Sequence, residues 1–238
     1  MPRGRLSGEQ AAQLRQQQLG VATLVRNELS MFFGSLNLDK PEAVRDALLQ
    51  FTPLLVRRYG LVAATTAADW YDDVRSGMNI RSQFRARVSD PVEAQRVERA
   101  VRFAAQHLFT GSPQLALAAL AAPVVRYAVE PSRLTIVGAS LRDPDSKGWE
   151  RRTKGDACSF CKALATRGRV YSRLSADFAA HNDCGCVAVP SFDPNAREVP
   201  VQAYVASVRT SNMSDAERER HRQQVQTLIA NYEAGDYD

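Results

Sequence analysis

The sequence predicts an α+β protein that is mostly α: a helical N-terminal domain, then a small Cys/His-rich module with short strands, then a C-terminal helix. Three observations carry this. Apolar residues recur at helical spacing through most of the first half, behind recognisable helix-start signals. Past Pro131 the chain turns rich in Pro, Gly, Asp and Ser and breaks into short strand-like pieces. All four cysteines lie between Cys158 and Cys186. The boundaries read as a helical domain over 1–135, a linker over 136–148, the Cys/His module over 149–192, and a tail with a helix over 193–238.

Ser7 and Gln10 fit a capping box, in which hydroxyl and amide satisfy each other's free backbone N–H groups. Leu14, Val21, Leu24, Val25 and Phe32 follow at roughly helical spacing. Asp39, Pro41 and Glu42 mark a second start, and that helix runs to about Arg75 with Pro53 as a kink or break. Asp90-Pro91-Val92-Glu93 reads as a third start, with the helix stopping near Phe109 at Gly111. Ser112 and Pro113 open a fourth, Ala/Leu-rich helix to about Val129, bent at Pro123; Ala104, Ala118 and Ala122 would permit close helix approach. Strand-like pieces fall at Trp149–Thr153, Val170–Ser172 and Cys186–Val189, with a short helix over Ala157–Thr166. Ser214 and Glu217 form a second capping box. The helix they open is polar nearly all round, with a narrow apolar stripe at Val225, Leu228, Ile229 and Tyr232. Such a helix is marginal alone, so it either docks weakly on the body or orders against a partner.

The chain has 238 residues, 45% hydrophobic and 24% charged, the composition of a folded protein rather than a disordered one. Its longest apolar run, Leu115 to Val125, is too short for the roughly 20 residues a membrane helix needs. Residues Gln10 to Gln18 are polar where a signal peptide needs an apolar core. A soluble protein made in the cytoplasm is expected. The net charge of +5 is mild. Its placement is not: Lys147 to Arg173 holds eight basic and two acidic residues.

Cys158-Ser-Phe-Cys161 in that stretch is followed, after nineteen intervening residues, by His181-Asn-Asp-Cys184-Gly-Cys186. Two thiolates two residues apart can face one ion from a tight turn, and HxxC supplies a second pair of similar reach. Zinc prefers four such ligands in a tetrahedron. A module with few large apolar residues gains from a metal staple. Five candidates compete for four positions. Cys158, Cys161, His181 and Cys184 make the more regular set; Cys186 could replace His181 or Cys184, or stay outside. Disulfides and plainly reduced, packed cysteines are the other arrangements the spacing allows.

Gly148-Trp149-Glu150-Arg151-Arg152, Gly155-Asp156-Ala157-Cys158-Ser159-Phe160-Cys161, Arg167-Gly168-Arg169-Val170-Tyr171 and the closing His181…Cys184-Gly185-Cys186 together resemble the Mu F-like family of tailed-phage minor head proteins. The likeness covers about residues 145–192. It implies a phage head-morphogenesis protein, a minor capsid component that associates with portal and with capsid and scaffold proteins during assembly. The place implied is the host cytoplasm, then the virion, inside the head beside DNA. Non-specific DNA contact through Arg151, Arg152, Lys154, Arg167 and Arg169 is the matching expectation, with no membrane partner. Family labelling also implies an alternative, a capsid maturation protease acting on scaffold or coat. The residues offer it little: there is no GxSxG, no HExxH and no Gly-rich phosphate loop. Of three histidines, His107 reads as a helix-end residue, His221 as solvated and His181 as a ligand. No catalytic residue is assigned, and a non-enzymatic role is expected.

Overall fold

The computed structural model describes residues 4, 6–78, 80–155, 157–166, 171, 178, 180–196 and 213–234. It is mostly helical with one small sheet, as the sequence predicts. Helix α1 spans Gly8–Gly34, and its capping box is fully formed: Gln10 N donates to Ser7 Oγ at 3.1 Å and Ser7 N to Gln10 Oε1 at 2.9 Å. Its buried stripe is Leu14, Val21, Val25, Leu29 and Phe33. Leu24 faces outward, and Phe32 sits at the edge, stacked on Phe51 at 3.8 Å.

Helix α2 spans Pro41–Gly77 without interruption at Pro53. A proline there removes one backbone bond, and burial from Val44 to Val74 outweighs that loss. At about 1.5 Å per residue α2 is roughly 55 Å long and forms the axis of the body. The third helix, α3, spans Ala94–Phe109. It starts later than Asp90-Pro91 suggests, with Glu93 at the N-cap. The preceding residues are held instead along α2 and the fourth helix: Ala86 N donates to Asp72 Oδ1 and Ser89 N to Thr135 Oγ1, both at 3.0 Å. Pro91 lies against Gly60, where an added Cβ would sit 3.4 Å from its ring. Gly111, at φ +72, ends α3, and α4 begins at Pro113 with Ser112 as its cap, both as read from sequence.

Helix α4 is longer than expected. It spans Pro113–Arg142, through Pro123 and Pro131, so the first half of the segment expected to be a linker over 136–148 is helix. Ile136, Val137, Ala139 and Ser140 are buried there. Burial there offsets the lost bond at Pro131, and Gly60 of α2 leaves room for the proline ring, which an added Cβ would meet at 3.3 Å. Ala118 is exposed and takes no part in close helix approach, whereas Ala104 is buried.

Strands β1 (Gly148–Arg152) and β2 (Val187–Ser191) pair antiparallel, with Trp149 opposite Pro190 and Arg151 opposite Ala188. Tyr171 pairs beside β1 through a single antiparallel bridge to Trp149, and their rings stack at 4.4 Å. Helix α5 spans Ser159–Thr166 and α6 spans Asp215–Ala234. Glu217 N reaches back to Ser214 Oγ at 3.4 Å and Ser214 N to Glu217 Oε2 at 2.8 Å, the predicted second box. The main contacts of α6 are with α5. Its expected apolar stripe at Val225, Leu228, Ile229 and Tyr232 lies outside the described side chains.

Two apolar clusters hold these elements. One joins α1, α2, α3 and α4 through residues such as Val25, Leu29, Val56, Val97, Val101 and Leu120. The other joins Leu14, Trp70, Tyr71 and Ile136 of the helices to Trp149, Tyr171, Val187, Val189 and Phe192. All five residues of β2 are buried, packed against α4 and α1. The Cys/His segment is thus built onto the helical body through shared core.

Where α4 gives way to β1, a buried polar cluster fixes the turn. Arg75 Nε donates to Asp143 Oδ2 at 2.7 Å, and Tyr71 Oη donates to the same oxygen at 3.1 Å. Arg75 also donates to Ser82 O and to Asp145. The Asp143 side chain is fully buried and that of Arg75 is 7% exposed. Burial, first, and the neighbouring carboxylate push the Tyr71 phenol well above its ordinary range. Removing one partner of a buried pair leaves the other charge uncompensated, at about 3–5 kcal/mol. Asp143→Ala should therefore lower unfolding stability by about that amount. Asp145→Ala, at a 41% exposed side chain, should cost no more than about 1 kcal/mol in the same denaturant titration. Equal costs would show that burial is not what gives Asp143 its weight.

Candidate metal centre

Cys158 lies just before α5, and Cys161 one turn later on the same face. Lys162 N donates to Cys158 O at 3.0 Å, which starts the helix and fixes that spacing. His181 and Cys184 close a tight turn, Cys184 N donating to His181 O at 3.3 Å. The turn needs Asp183 in the left-handed region, at φ 59, which Asp tolerates better than most residues. Arg26 of α1 pairs with the Asp183 carboxylate and holds the turn from outside. Cys186 enters β2 and is buried.

The five candidate ligands converge as two overlapping triplets, Cys158–Cys161–His181 and Cys161–Cys184–Cys186, with all ligand atoms in each within 4.8 Å of one another. His181 Nε2 lies 3.3 Å from Cys158 Sγ and 3.1 Å from Cys161 Sγ; Cys161 and Cys184 sulfurs are 3.8 Å apart. The edges of a tetrahedron with Zn–S near 2.3 Å and Zn–N near 2.0–2.1 Å are about 3.5–3.8 Å. These groups are therefore close enough to hold a metal ion. His181 Nδ1 lies 2.6 Å from Asn182 O. A proton on Nδ1 donates there and leaves Nε2, the atom facing the thiols, with its lone pair, the outer-shell arrangement typical of a ligating histidine. That hydrogen bond is also the first cause raising the histidine's proton affinity.

The sulfurs are electrostatically unequal. Cys184 is held down to about 4, first by a hydrogen bond from Cys186 and also by the Arg133 charge. Cys161 is pushed up to about 12, first by burial and then by the neighbouring Cys184. Cys186 is pushed up because its S–H is the donor to Cys184. Cys158 is lowered, first by a backbone hydrogen bond at Cys161.

Two arginines that the sequence reading passed over hold this segment to the body. Arg133, 4% exposed, donates to Cys186 O at 3.2 Å and to Cys184 O at 2.6 Å. Arg15 donates to Gly185 O at 3.1 Å and to Thr153 O at 3.0 Å. All three carbonyls of Cys184-Gly185-Cys186 thus end on guanidinium groups from α4 and α1. The Arg133 guanidinium also lies 5.4 Å from the Phe178 ring. Ending α4 near Val129 leaves Arg133 outside it, and Pro131 with Gly138 gives no local signal that the helix continues.

The expected DNA-contacting residues are placed differently. Arg151 is buried, 3.9 Å over the Phe178 ring. It is not presented to a ligand, because β1 packs with both faces covered. Arg152 pairs with Glu150 at 2.9 Å and is only 26% exposed. Lys154 is half-buried, with its stem over Gly185, where an added Cβ would meet it at 2.9 Å. Arg167 and Arg169 lie outside the described residues.

Fold and centre together define a helical-body protein whose Cys/His knuckle brings groups close enough together to hold a metal ion. The family model described as VG15 protein matches residues 5–216, from α1 to the start of α6, and the chain belongs to that family, a viral (phage) protein family. No curated protein and no solved structure matches the chain. No described helix is long and apolar enough to cross a membrane.

If the arginine bonds hold the knuckle, Arg133→Met should leave helix content intact and expose Cys186, raising its alkylation rate by about tenfold or more, in line with the roughly 1.5–3 kcal/mol of hydrogen bonds to a charged group. Mass-spectrometric labelling of each cysteine reads this directly. An unchanged Cys186 rate would show that core packing alone fixes the segment.

Proposed function

We propose that the chain is a minor capsid protein of a tailed phage, a head-morphogenesis factor that associates with portal and procapsid during assembly and ends in the virion. Its knuckle holds one structural zinc ion. The observation that carries the reading is the convergence of CxxC and HxxC, in a viral family protein, on a segment anchored by core packing and by Arg15 and Arg133. The resemblance of residues 145–192 to Mu F-like head proteins supplies the assembly role.

In this reading Cys158, Cys161, His181 and Cys184 are the ligands. Cys186 stays a thiol, buried and donating to Cys184. The ion would cross-link α5 to the turn before β2 and contribute folding energy there. Asn182 orients His181, and Arg133 balances negative charge on the sulfurs.

Protein purified under reducing conditions should carry about one zinc per chain in native mass spectrometry. Cys184→Ala should lose it and Cys186→Ala should keep it. An apo mass with two intact disulfides would overturn the zinc reading, and loss in Cys186→Ala alone would exchange the two cysteines' roles. Co-expression with portal, scaffold and coat tests the assembly role: the chain should sediment with portal-containing particles. Scaffold or coat processing that depends on one Ser or Cys of this chain would replace it by the maturation-protease reading.

A further inference from the structure

Beside the knuckle, where α1 and α4 meet the 181–185 turn, lies a cleft of about 240 Å³. Five basic side chains line it: Arg15, Arg26, Arg126, Arg133 and Lys154. Its one carboxylate, Asp183, is taken by Arg26. Three of the guanidiniums have neutral partners. Arg15 and Arg133 donate to backbone carbonyls, and Arg126 Nε donates to Asn182 Oδ1 at 2.9 Å. Their hydrogen bonds are satisfied while their charges are not cancelled.

So many like charges around one small cleft repel one another, and its low-dielectric walls strengthen the field. A metal centre of three thiolates and one imidazole offsets one unit at most, the one that Arg133 carries beside Cys184. Among the described residues Arg15 and Arg126 keep neutral partners only, and their charges call for an anion from outside. Guanidinium groups match phosphate oxygens in geometry as well as in charge. Apolar residues such as Leu19 and Val129 also line the cleft. It offers a surface for sugar or base beside the charged rim, which a free inorganic anion would leave unused.

We propose that this cleft binds a backbone phosphate of nucleic acid, with Arg126 at its rim making the contact. The assignment moves nucleic-acid contact away from β1, where Arg151 is buried, to the junction of α1, α4 and the knuckle. It stands on the cleft's charge and shape, independently of the head-assembly role.

The test is fluorescence anisotropy of the full-length protein with a short mixed-sequence DNA duplex, across a range of salt. Binding should weaken with salt at a slope near −0.9 per phosphate neutralised. Arg126→Gln should reduce that slope by about one phosphate's worth and weaken low-salt binding about fivefold. A control that removes the same charge, Arg57→Gln, alters an exposed residue on α2 outside the cleft and should change affinity by no more than about twofold. Circular dichroism and metal content are measured on each variant. If Arg126→Gln loses metal, its slope is compared with that of the chelated native protein, from which it should still differ by about one phosphate. Equal loss in the control, or absence of duplex binding by the native protein, overturns the proposal. Complete displacement of the duplex by inorganic phosphate at matched ionic strength also overturns it, and makes the cleft a small-anion site.

Discussion

The knuckle end of the molecule depends on how a half-buried stretch of backbone finds hydrogen-bond donors. Residues 184–186 run into β2 against the helices, and the sheet that receives them has only two strands among the described residues. Buried carbonyls without donors cost free energy comparable to lost hydrogen bonds. The long arms of Arg15 and Arg133 reach from α1 and α4 and supply those donors. This solution fixes much else. It sets β2 against α4, aims the sulfurs of Cys184 and Cys186 toward Cys161, and requires a guanidinium to remain in the interior.

A buried guanidinium is tolerated only where its surroundings compensate it. Arg133 has two carbonyls and an aromatic ring, and among the described residues it pairs with no carboxylate. Desolvation accordingly lowers its proton affinity, while the nearby sulfurs of Cys184 and Cys186 oppose that trend. Cation and thiolate therefore stabilise each other across the joint. At the other end of β1, Arg75 and Asp143 solve the same problem with a direct pair. The junction between helices and sheet is thus fixed by two buried arginines on different principles, one answered by a carboxylate and one by backbone and sulfur.

What the sequence revealed follows the range of the interactions concerned. Ser7 with Gln10, Gly111 with Ser112-Pro113, and Ser214 with Glu217 act within a few residues, and each starts or stops its helix where expected. The Cys/His spacing is likewise nearly local, so its convergence could be anticipated. Extension of α4 to Arg142 could not be read the same way. Pro131 and the Gly- and Ser-containing stretch after it argue locally against helix, and only the space at Gly60 and the burial of Ile136 and Val137 decide otherwise. The start of α3 was misplaced for a related reason, since Ser89 and Pro91 are held by α4 and α2 rather than by their own neighbours. Arg151 shows the limit for charge: a basic run reads as surface until the strand carrying it proves to be covered.

The coupling of body and knuckle bears on how a metal could act here. In an isolated zinc finger the ion replaces a core, and the apo chain unfolds. Here Trp149, Tyr171, Val187 and Val189 already pack against Leu14, Trp70 and Ile136. The segment between the ligand pairs leans on that core at Tyr171 and Phe178, while Cys158 and His181 lie exposed at its rim. Removing an ion should therefore free α5 and the 181–184 turn without releasing β1 or β2. Metal would then govern the shape of the rim, where Asp183 meets Arg26 and Asn182 meets Arg126, more than the stability of the whole. Because the basic cleft is bounded by that same turn, its geometry depends on the knuckle being closed. Any surface this chain offers there is one that the centre shapes.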